Sequence, residues 1–302
     1  MALLLTDVWS NEIAQNIYPD DSFVVHSRND NAYVDHDFVR LPQSGAKPKS
    51  ARNRTVFPAA ITERIDALVS YQMQWFSTDP TRIRNAEQHA LSYAKRKDVA
   101  QDHVAVLQQD ASEYLLSVWS GNSAATVSVT SGPLRAASAV GATGNRKSLT
   151  LADVKTAMTK MDLQNIPRKG RKILLNPIFH SDLLDDTKLT SRDYTPENGG
   201  NMMEGKVGML WGFEVFVRSS VNSYANNSFA PKDPVALPAV DDDAGALIWH
   251  PNFVRRAVGT TVVNINTGVA EHYGDILTME AWAGGTAWYI DRRGSMSIKE
   301  SK

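Results

Sequence analysis

Three short segments carry residue types that bind metals or phosphates in other proteins. Asp35-His36-Asp37 could ligate a metal ion, but on a strand the two aspartates would point one way and the histidine the other. Asp241-Asp242-Asp243 lacks the alternating ligands and the closing glutamate of a calcium loop, so we interpret it as an acidic surface turn. Residues 199–212 are rich in glycine, but no Lys-Ser or Lys-Thr pair follows the last glycine. We expect a flexible loop there that ends in a hairpin.

The familiar catalytic motifs are missing from the sequence. It has no Gly-x-Ser-x-Gly elbow, no Walker A sequence, no Gly-x-Gly-x-x-Gly and no His-Glu-x-x-His pair. On one helix His89 and His103 would lie about 21 Å apart, too far to share a metal, and we interpret both as surface residues. The absence of cysteine excludes disulfides, thiolate catalysis and cysteine-ligated zinc. We therefore expect no catalytic site, no cofactor and no metal site.

The composition is that of a folded protein. Of 302 residues, 42% are hydrophobic and 22% are charged, close to the globular average. The 32 basic and 33 acidic residues give a net charge of -1, so any contact with DNA must be local. No stretch approaches the roughly 20 apolar residues of a membrane-spanning helix, and the first residues do not read as a signal peptide. The default location is the cytoplasm.

The first quarter of the chain predicts an extended arm followed by a long hairpin. Residues 1–31 mix apolar and polar residues without a sustained period, which is typical of an arm. From Ile61 to Trp75 apolar residues favour the odd positions, which predicts a long strand. Residues 32–41 can supply the opposing strand, and the intervening residues 42–54 are rich in turn formers.

A long spine helix is predicted next, over about residues 80 to 119. Thr78-Asp79-Pro80 is a typical helix start, and Gly121 is a typical stop. At 1.5 Å per residue the helix would be roughly 58 Å long. Only Lys97 interrupts an apolar stripe with steps of three and four, whose buried members we expect to include Ile83, Ala90, Val104, Leu107, Ala111 and Val118.

The second half of the chain predicts an α/β unit that ends in sheet strands. Residues 121–148 have the composition of a mobile connector, and a domain boundary is expected near residue 148. The pattern then predicts helices at residues 148–161 and 178–184 and strands at residues 171–177 and 213–217. From Ala246 onward, glycines separate short apolar runs at 246–249, 262–265, 276–281 and 287–290. The fold class is therefore α+β.

A run of basic residues lies at the tip of the predicted hairpin. No acidic residue interrupts residues 40–54, which carry five cations: Arg40, Lys47, Lys49, Arg52 and Arg54. The run is either a solvated loop or a contact with an acidic surface or DNA. Because a two-stranded ribbon is not stable alone in water, we expect it to lie on another copy of the chain. These five residues are our candidate inter-subunit contacts.

The order of these parts, together with four short stretches, carries a resemblance to a known family. The stretches are Val39-Arg-Leu-Pro-Gln43, Asp79-Pro80, residues 166–177 and residues 208–215. The chain resembles the major capsid proteins of tailed bacteriophages, which have the Hong Kong 97-type capsid fold. This resemblance implies five regions: an N-terminal arm (1–31), an extended hairpin or E-loop (32–77), a peripheral or P-domain with the spine helix and connector (78–148), a central axial or A-domain (149–243) and return strands that complete both domains (244–302).

The resemblance also implies a function and partners. Copies would assemble as pentamers and hexamers into an icosahedral shell, located in the virion and assembled in the host cytoplasm, around a double-stranded DNA genome. The implied partners are a scaffolding protein, which we expect to be separate because the chain begins close to the arm, the portal, and DNA bound on the inner face without sequence specificity; no membrane is implied. Some family members crosslink covalently through lysine and asparagine, but no such pair can be placed here. Two alternatives stay open: an encapsulin-like nanocompartment shell and an α+β enzyme with an unrecognised site.

Overall fold

The computed structural model describes residues 23–43, 50–55, 57–58, 61, 63, 66–84, 94–185 and 209–302. In these ranges the helices are α1 (Ala94–Trp119), α2 (Leu151–Leu163) and α3 (Pro177–Leu184), with 3₁₀ turns at Phe23–Val25, Asn31–Tyr33, Pro251–Phe253 and Ala270–His272. The strands are β1 (Arg28–Asn29), β2 (Val34–Asp35), β3 (Phe38–Gln43), β4 (Ala67–Gln72), β5 (Gln74–Ser77), β6 (Thr81–Arg84), β7 (Val127–Val129), β8 (Leu134–Ala136), β9 (Asn145–Lys147), β10 (Arg171–Leu175), β11 (Met209–Leu210), β12 (Phe213–Val217), β13 (Ser223–Tyr224), β14 (Asp243–Trp249), β15 (Val254–Val258), β16 (Val262–Val269), β17 (Gly274–Ala287) and β18 (Ser295–Lys299). The predicted α+β class is confirmed.

An outer sheet is built around the long strand β17. β15 and β16 pair along one of its edges, and β5 and β6 pair along the other, all antiparallel. β1 adds to β15 in parallel. The first half of α1 packs on this sheet, where Ala100 and Leu107 meet Leu277 and Met279 in one buried cluster.

A central sheet has the strand order β11-β12-β10-β14-β18-β7, with β13 paired to β14. Its middle strands are buried on both faces, because successive side chains along each strand enter two different apolar clusters. Ile173 and Ile248 face the cluster that includes side chains of α2 and α3, whereas Leu174 and Leu247 face a second cluster that includes the end of α1. The central sheet is therefore the middle layer of a three-layer unit.

The second half of α1 ties the two sheets together. Trp119 is fully buried, lies edge-on to Phe23 with ring centroids 6.1 Å apart, and donates from Nε1 to the Arg255 carbonyl at 3.0 Å. Gly285 of the outer sheet allows the close approach, since a Cβ there would lie 2.5 Å from Leu115 Cδ2 and 2.8 Å from the Arg255 carbonyl oxygen. The helix is thus shared by both cores.

Local capping chemistry explains where the shorter helices begin. Thr150 and Asp153 form a reciprocal capping box at the start of α2. Asn176 accepts the Phe179 backbone N–H at 2.6 Å, and Pro177 occupies the first turn of α3. The predicted helices at 148–161 and 178–184 and the strands at 171–177 and 213–217 are confirmed to within a few residues.

The predicted start of the spine helix is wrong. Residues 81–84 form β6, which pairs with Gly274–Leu277 of β17, and Ile83 is buried as a strand residue. Thr78 to Pro80 interrupt two collinear strands rather than cap a helix. The helix begins at Ala94 in the described ranges, so its 26 residues span about 39 Å. Its buried stripe includes His103, which is 6% exposed and not a surface residue; Val104 and Val118 are only half-buried.

Some of the helix predictions lie outside the described residues. They concern His89 and Ala90, and the same holds for the side chain of Lys97. The predicted glycine-rich loop falls mostly on residues 186–208, which are also outside. Its expected end in a hairpin is confirmed, because β11 and β12 pair across Trp211 and Gly212.

The predicted long strand from Ile61 to Trp75 is also wrong. Residues 61, 63 and 66 are not in a strand, and the chain changes partners at Met73: β4 pairs with β3, whereas β5 pairs with β17. His36 is at a turn between β2 and β3 with φ 54°, so Asp35-His36-Asp37 is not a continuous strand segment. Of the last predicted strand, 287–290, only Ala287 is in a strand, as the final residue of β17.

The predicted connector and acidic turn are structured and partly buried. Residues 121–148 contain β7, β8 and β9, and β7 pairs in parallel with β18. Asp242 and Asp243 are each 3% exposed. Asp243 binds the buried Arg146 at 2.6 Å, and Asp242 binds the half-buried Lys232 at 2.6 Å, so these carboxylates neutralise cations of the fold instead of facing solvent.

A histidine at the edge of the central unit should make stability depend on pH. The Nδ1 atom of His250 accepts the Asn252 backbone N–H, and Nε2 lies 3.2 Å from the Lys169 carbonyl, an arrangement that requires the neutral ring. Burial lowers the pKa of His250. The hydrogen bond to the Lys169 carbonyl raises this pKa and the charge of the nearby Arg171 lowers it, but burial has the largest effect. Because the folded pKa lies below the unfolded one, the stabilisation is complete above about pH 6.5 and is lost as the pH falls toward the folded pKa.

We expect the His250→Asn variant, which keeps an acceptor but does not titrate, to lose less stability than the parent between about pH 6.5 and 5. Urea unfolding across that range measures the slope. His36→Asn, at an exposed turn, is the matched control. Identical slopes for His250→Asn and the parent would contradict the prediction.

Candidate inter-subunit surface

The hairpin of β3 and β4 has one buried and one exposed face. Its register runs from Phe38 opposite Gln72 to Gln43 opposite Ala67. On the inner face Val39, Leu41 and Tyr71 pack in a cluster with Ala257 of the outer sheet. On the outer face the exposed side chains are those of Phe38, Arg40, Pro42, Leu68, Ser70 and Gln72. The outer face therefore presents apolar and basic groups that no described part of the same subunit covers.

A buried ion pair anchors the base of this hairpin. Asp30 Oδ1 lies 2.6 Å from Arg255 NH1, and Asp30 Oδ2 accepts the Tyr71 hydroxyl at 3.2 Å. The Arg255 guanidinium also stacks on Trp288, 3.4 Å from the ring centroid. Burial, the charge of Asp30 and the hydrogen bond to Asp30 all raise the pKa of Tyr71, so the phenol stays protonated. We call these residues the hairpin anchor: Asp30, Tyr71, Arg255 and Trp288.

The end of the hairpin exposes large apolar side chains. Phe57 is 75% exposed and Ile61 is 98% exposed. Residues 50–55 are exposed as well. These two side chains add to the apolar residues Phe38 and Leu68 that the outer face of the hairpin exposes.

The structure describes three of the five predicted contact residues. Arg40 is on the exposed face of β3 opposite Ser70, and Arg52 and Arg54 are exposed beyond the paired strands. Among the described residues none of these three arginines pairs with an acid. Lys47 and Lys49 lie outside the described residues.

Acidic side chains are exposed along α1. Asp98, Asp102 and Asp110 are exposed. Partial burial, and then the neighbouring Glu113, raise the pKa of Asp110. Glu113 itself is engaged within the subunit, 3.8 Å from Arg218 and 3.3 Å from the Ser220 hydroxyl. The exposed aspartates are therefore the acids that α1 offers to another molecule.

The described ranges contain few groups that could bind or transform a small molecule. In these ranges no group of three or more His, Asp or Glu side chains is placed to hold a metal ion. The helices described are all too short or too polar to cross a membrane. A cleft of about 270 Å³ lies between the end of α1 and residues 219–245. Its lining has four charged side chains: Lys232 pairs with Asp242, Glu113 lies near Arg218, and Asp233 accepts the Val235 backbone N–H, so they serve the fold.

One family model matches most of this chain. A family model described as phage capsid protein matches residues 88–299. A search of curated proteins found no match.

Solved structures show the same fold at low sequence identity. The structure of Mycobacterium phage Che8 has a TM-score of 0.63 at 13% identity and covers 92% of this chain and 90% of that chain. The head structure of Helicobacter pylori bacteriophage KHP40 has a TM-score of 0.63 at 10% identity, covering 93% and 92%. The capsid of Ralstonia phage GP4 has a TM-score of 0.62 at 12% identity, covering 91% and 86%.

Proposed function

The chain belongs to the phage capsid protein family, and from this premise we propose that its copies assemble as pentamers and hexamers into an icosahedral shell around the double-stranded DNA of a tailed phage. It is a major capsid protein, a structural component of the virion. The family match does not favour the alternative of a cellular nanocompartment shell.

The uncovered hairpin end is the observation that supports this assembly best. Phe57 and Ile61 are exposed by 75% and 98%, and the outer face of β3 and β4 adds Phe38 and Leu68. Leaving this area in water forgoes hydrophobic stabilisation of about 25 cal/mol per Å². Contact with another copy, repeated over the shell, recovers it in every subunit. Electron microscopy of the purified protein tests the proposal directly: shells, tubes or capsomers support it, and a monomer under all salt and crowding conditions contradicts it.

We further propose that the basic hairpin residues meet acids of an adjacent copy. Arg40, Arg52 and Arg54 have exposed side chains without acidic partners in the described part of their own subunit, and Lys47 and Lys49 belong to the same run. The exposed aspartates of α1 supply the opposite charge at positions 98, 102 and 110. An exposed ion pair contributes only about 0.2 to 1 kcal/mol, so the effect depends on several pairs in every copy.

Removing this charge should weaken assembly without unfolding the subunit. We expect a variant with Lys47, Lys49, Arg52 and Arg54 all replaced by serine to give fewer shells than the parent. Four pairs would weaken the contact by roughly 1 to 4 kcal/mol per copy. The difference should be largest at low salt and should shrink at high salt, where screening weakens the parent's ion pairs as well. Sedimentation measures shell yield across a salt series, and circular dichroism measures folding.

The matched control keeps the charge at the same four positions, with lysine and arginine exchanged, and should assemble like the parent. A charge swap is the sharper test: Asp98→Lys with Asp102→Lys should lower shell yield, and adding Arg52→Glu with Arg54→Glu should restore part of it. Equal yields for the serine variant and the parent at every salt concentration would show that the tip is only solvated.

The remaining partners and the domain division are also proposals. We propose a separate scaffolding protein and a portal as partners during assembly in the host cytoplasm, and packaged DNA on the inner face without sequence specificity. The net charge of -1 fits a wall that neither grips nor strongly repels DNA. We propose the five-region division from arm to return strands on the same basis. Expression of the chain alone tests the first partner, since complete shells without other proteins would contradict a need for scaffolding.

A further inference from the structure

β16 forms a free edge of the outer sheet. One side of it pairs with β17, and in the part of the chain that the structure describes no strand pairs with the other side. Six of its eight residues are exposed. A free edge exposes backbone N–H and C=O groups that can pair with another chain, and proteins usually protect such edges with charge, proline or a bulge.

The sequence of β16 gives this edge little protection. Val262-Val-Asn-Ile-Asn-Thr-Gly-Val269 contains no charged residue and no proline. The pairing of β16 with β17 shifts register between Asn266 and Val269. Residues 262–266, before this irregularity, pair regularly. The opposite edge of the sheet differs, because β6 carries Arg82 and Arg84, both exposed. Like charges there would oppose pairing with a second copy, so of these two edges β16 is the one suited to it.

The centre of β16 is also complementary to itself. Asn264-Ile265-Asn266 reads the same in both directions. In an antiparallel pair centred on Ile265, each Ile265 would face the other Ile265, and each Asn264 would face Asn266 of the other copy. The first contact is apolar and the second brings together two amides that can hydrogen-bond, both favourable cross-strand pairs. A two-fold interface requires such self-complementarity.

We propose that β16 strands of two copies pair antiparallel about Ile265 and extend the outer sheet across a two-fold contact between subunits. This contact is separate from the basic hairpin, and its place in a shell rests on the proposed assembly. The partner is a second copy of this chain, because the edge is uncharged and its centre is complementary to itself.

Single cysteines test the geometry, because the chain has no cysteine of its own. Facing residues in an antiparallel pair have Cα atoms about 4.5 or 5.5 Å apart, and a disulfide accepts both distances. Ile265→Cys should therefore form covalent dimers when a mild oxidant is added. Val262→Cys is the matched control: Val262 is 43% exposed and Ile265 40%, but two Val262 residues would be separated by six positions, or about 20 Å. Non-reducing electrophoresis should show at least ~10-fold more dimer for Ile265→Cys.

A second pair of variants tests the register of the strand pairing. It also keeps the test valid if Ile265→Cys folds poorly. Chains with Asn264→Cys and chains with Asn266→Cys should crosslink strongly only when mixed. The full-length protein is oxidised both as assembled particles and as unassembled protein at high concentration. Dimers no more abundant than for Val262→Cys, with no gain on mixing, would overturn the proposed edge pairing even if shells form. A parent that never assembles would overturn the proposed shell instead, and Ile265→Cys dimers in that protein would still support the edge.

Discussion

Replacing Asp30 by alanine is expected to lower the free energy of unfolding by about 3 to 5 kcal/mol. The side chain is fully buried and accepts hydrogen bonds from Arg255 and Tyr71. Its loss leaves the Arg255 guanidinium buried without a counter-charge, which costs more than the pair itself contributes. It also removes the partner of the Tyr71 hydroxyl at the base of the hairpin. Urea unfolding of the unassembled protein, followed by circular dichroism, measures the loss.

Two controls separate this effect from a general effect of removing a carboxylate. Asp35→Ala, at the exposed end of β2 only five residues away, should change stability by less than about 0.5 kcal/mol. Asp30→Ala combined with Arg255→Met should be more stable than Asp30→Ala alone, because no charge is left buried. If Asp30→Ala and Asp35→Ala have the same stability, the hairpin anchor does not hold the fold as described.

Trp119→Ala is expected to cost about 3 to 5 kcal/mol, since it empties a large volume shared by both cores. Its indole contacts Phe23, lies near Gly285 of the outer sheet and belongs to the cluster with Leu247 of the central sheet. We also expect the two parts to unfold less cooperatively, because α1 no longer joins them firmly. Thermal unfolding followed at several wavelengths detects both changes.

Trp75 supplies the matched control for this variant. It is 55% exposed, and its Nε1 atom lies 3.3 Å from Glu280. Trp75→Ala should cost less than about 1 kcal/mol and leave cooperativity unchanged. A loss as large as that of Trp119→Ala would show that tryptophan content, and not the shared position, explains the effect.

The local elements of the central unit could be predicted from sequence because local chemistry determines them. Thr150, Asn176 and Pro177 are cap residues, and their hydrogen bonds define where α2 and α3 begin. Residues 171–175 are all buried, and the apolar run Ile173-Leu174-Leu175 within them indicates a strand. No distant partner had to be known in either case.

The errors occurred where a distant partner decides the structure. Residues 81–84 continue the spacing of the spine helix, but they pair with β17, nearly 200 residues later in the sequence. Asp242 and Asp243 look like a surface turn until Arg146, Lys232 and Lys299 are placed around them. His103 is buried, and its Nδ1 atom lies 2.6 Å from the hydroxyl oxygen of Thr78, 25 residues earlier. Sequence periodicity contains no information about such pairings.

Only the part of the candidate site that depends on local sequence could be predicted. The basic run at residues 40–54 is visible as a local charge pattern, whereas the ion pair that anchors its hairpin joins Asp30 to Arg255 across 225 positions. The free edge of β16 was overlooked, although its signal is present in the sequence. An eight-residue strand without charge, with Asn-Ile-Asn at its centre, is unusual for a solvent-facing edge.

The position of β18 has a consequence for biosynthesis. This strand lies between β14 and β7, so the central sheet has a gap until residues 295–299 have left the ribosome. β17 has the same role in the outer sheet, where it joins four strands from two distant parts of the chain. Chains still being translated therefore lack the rigid surfaces on which neighbours dock. Both sheets are thus completed only after residues 274–299 have been made, and until then their unpaired strands depend on sequence that has not yet been synthesised.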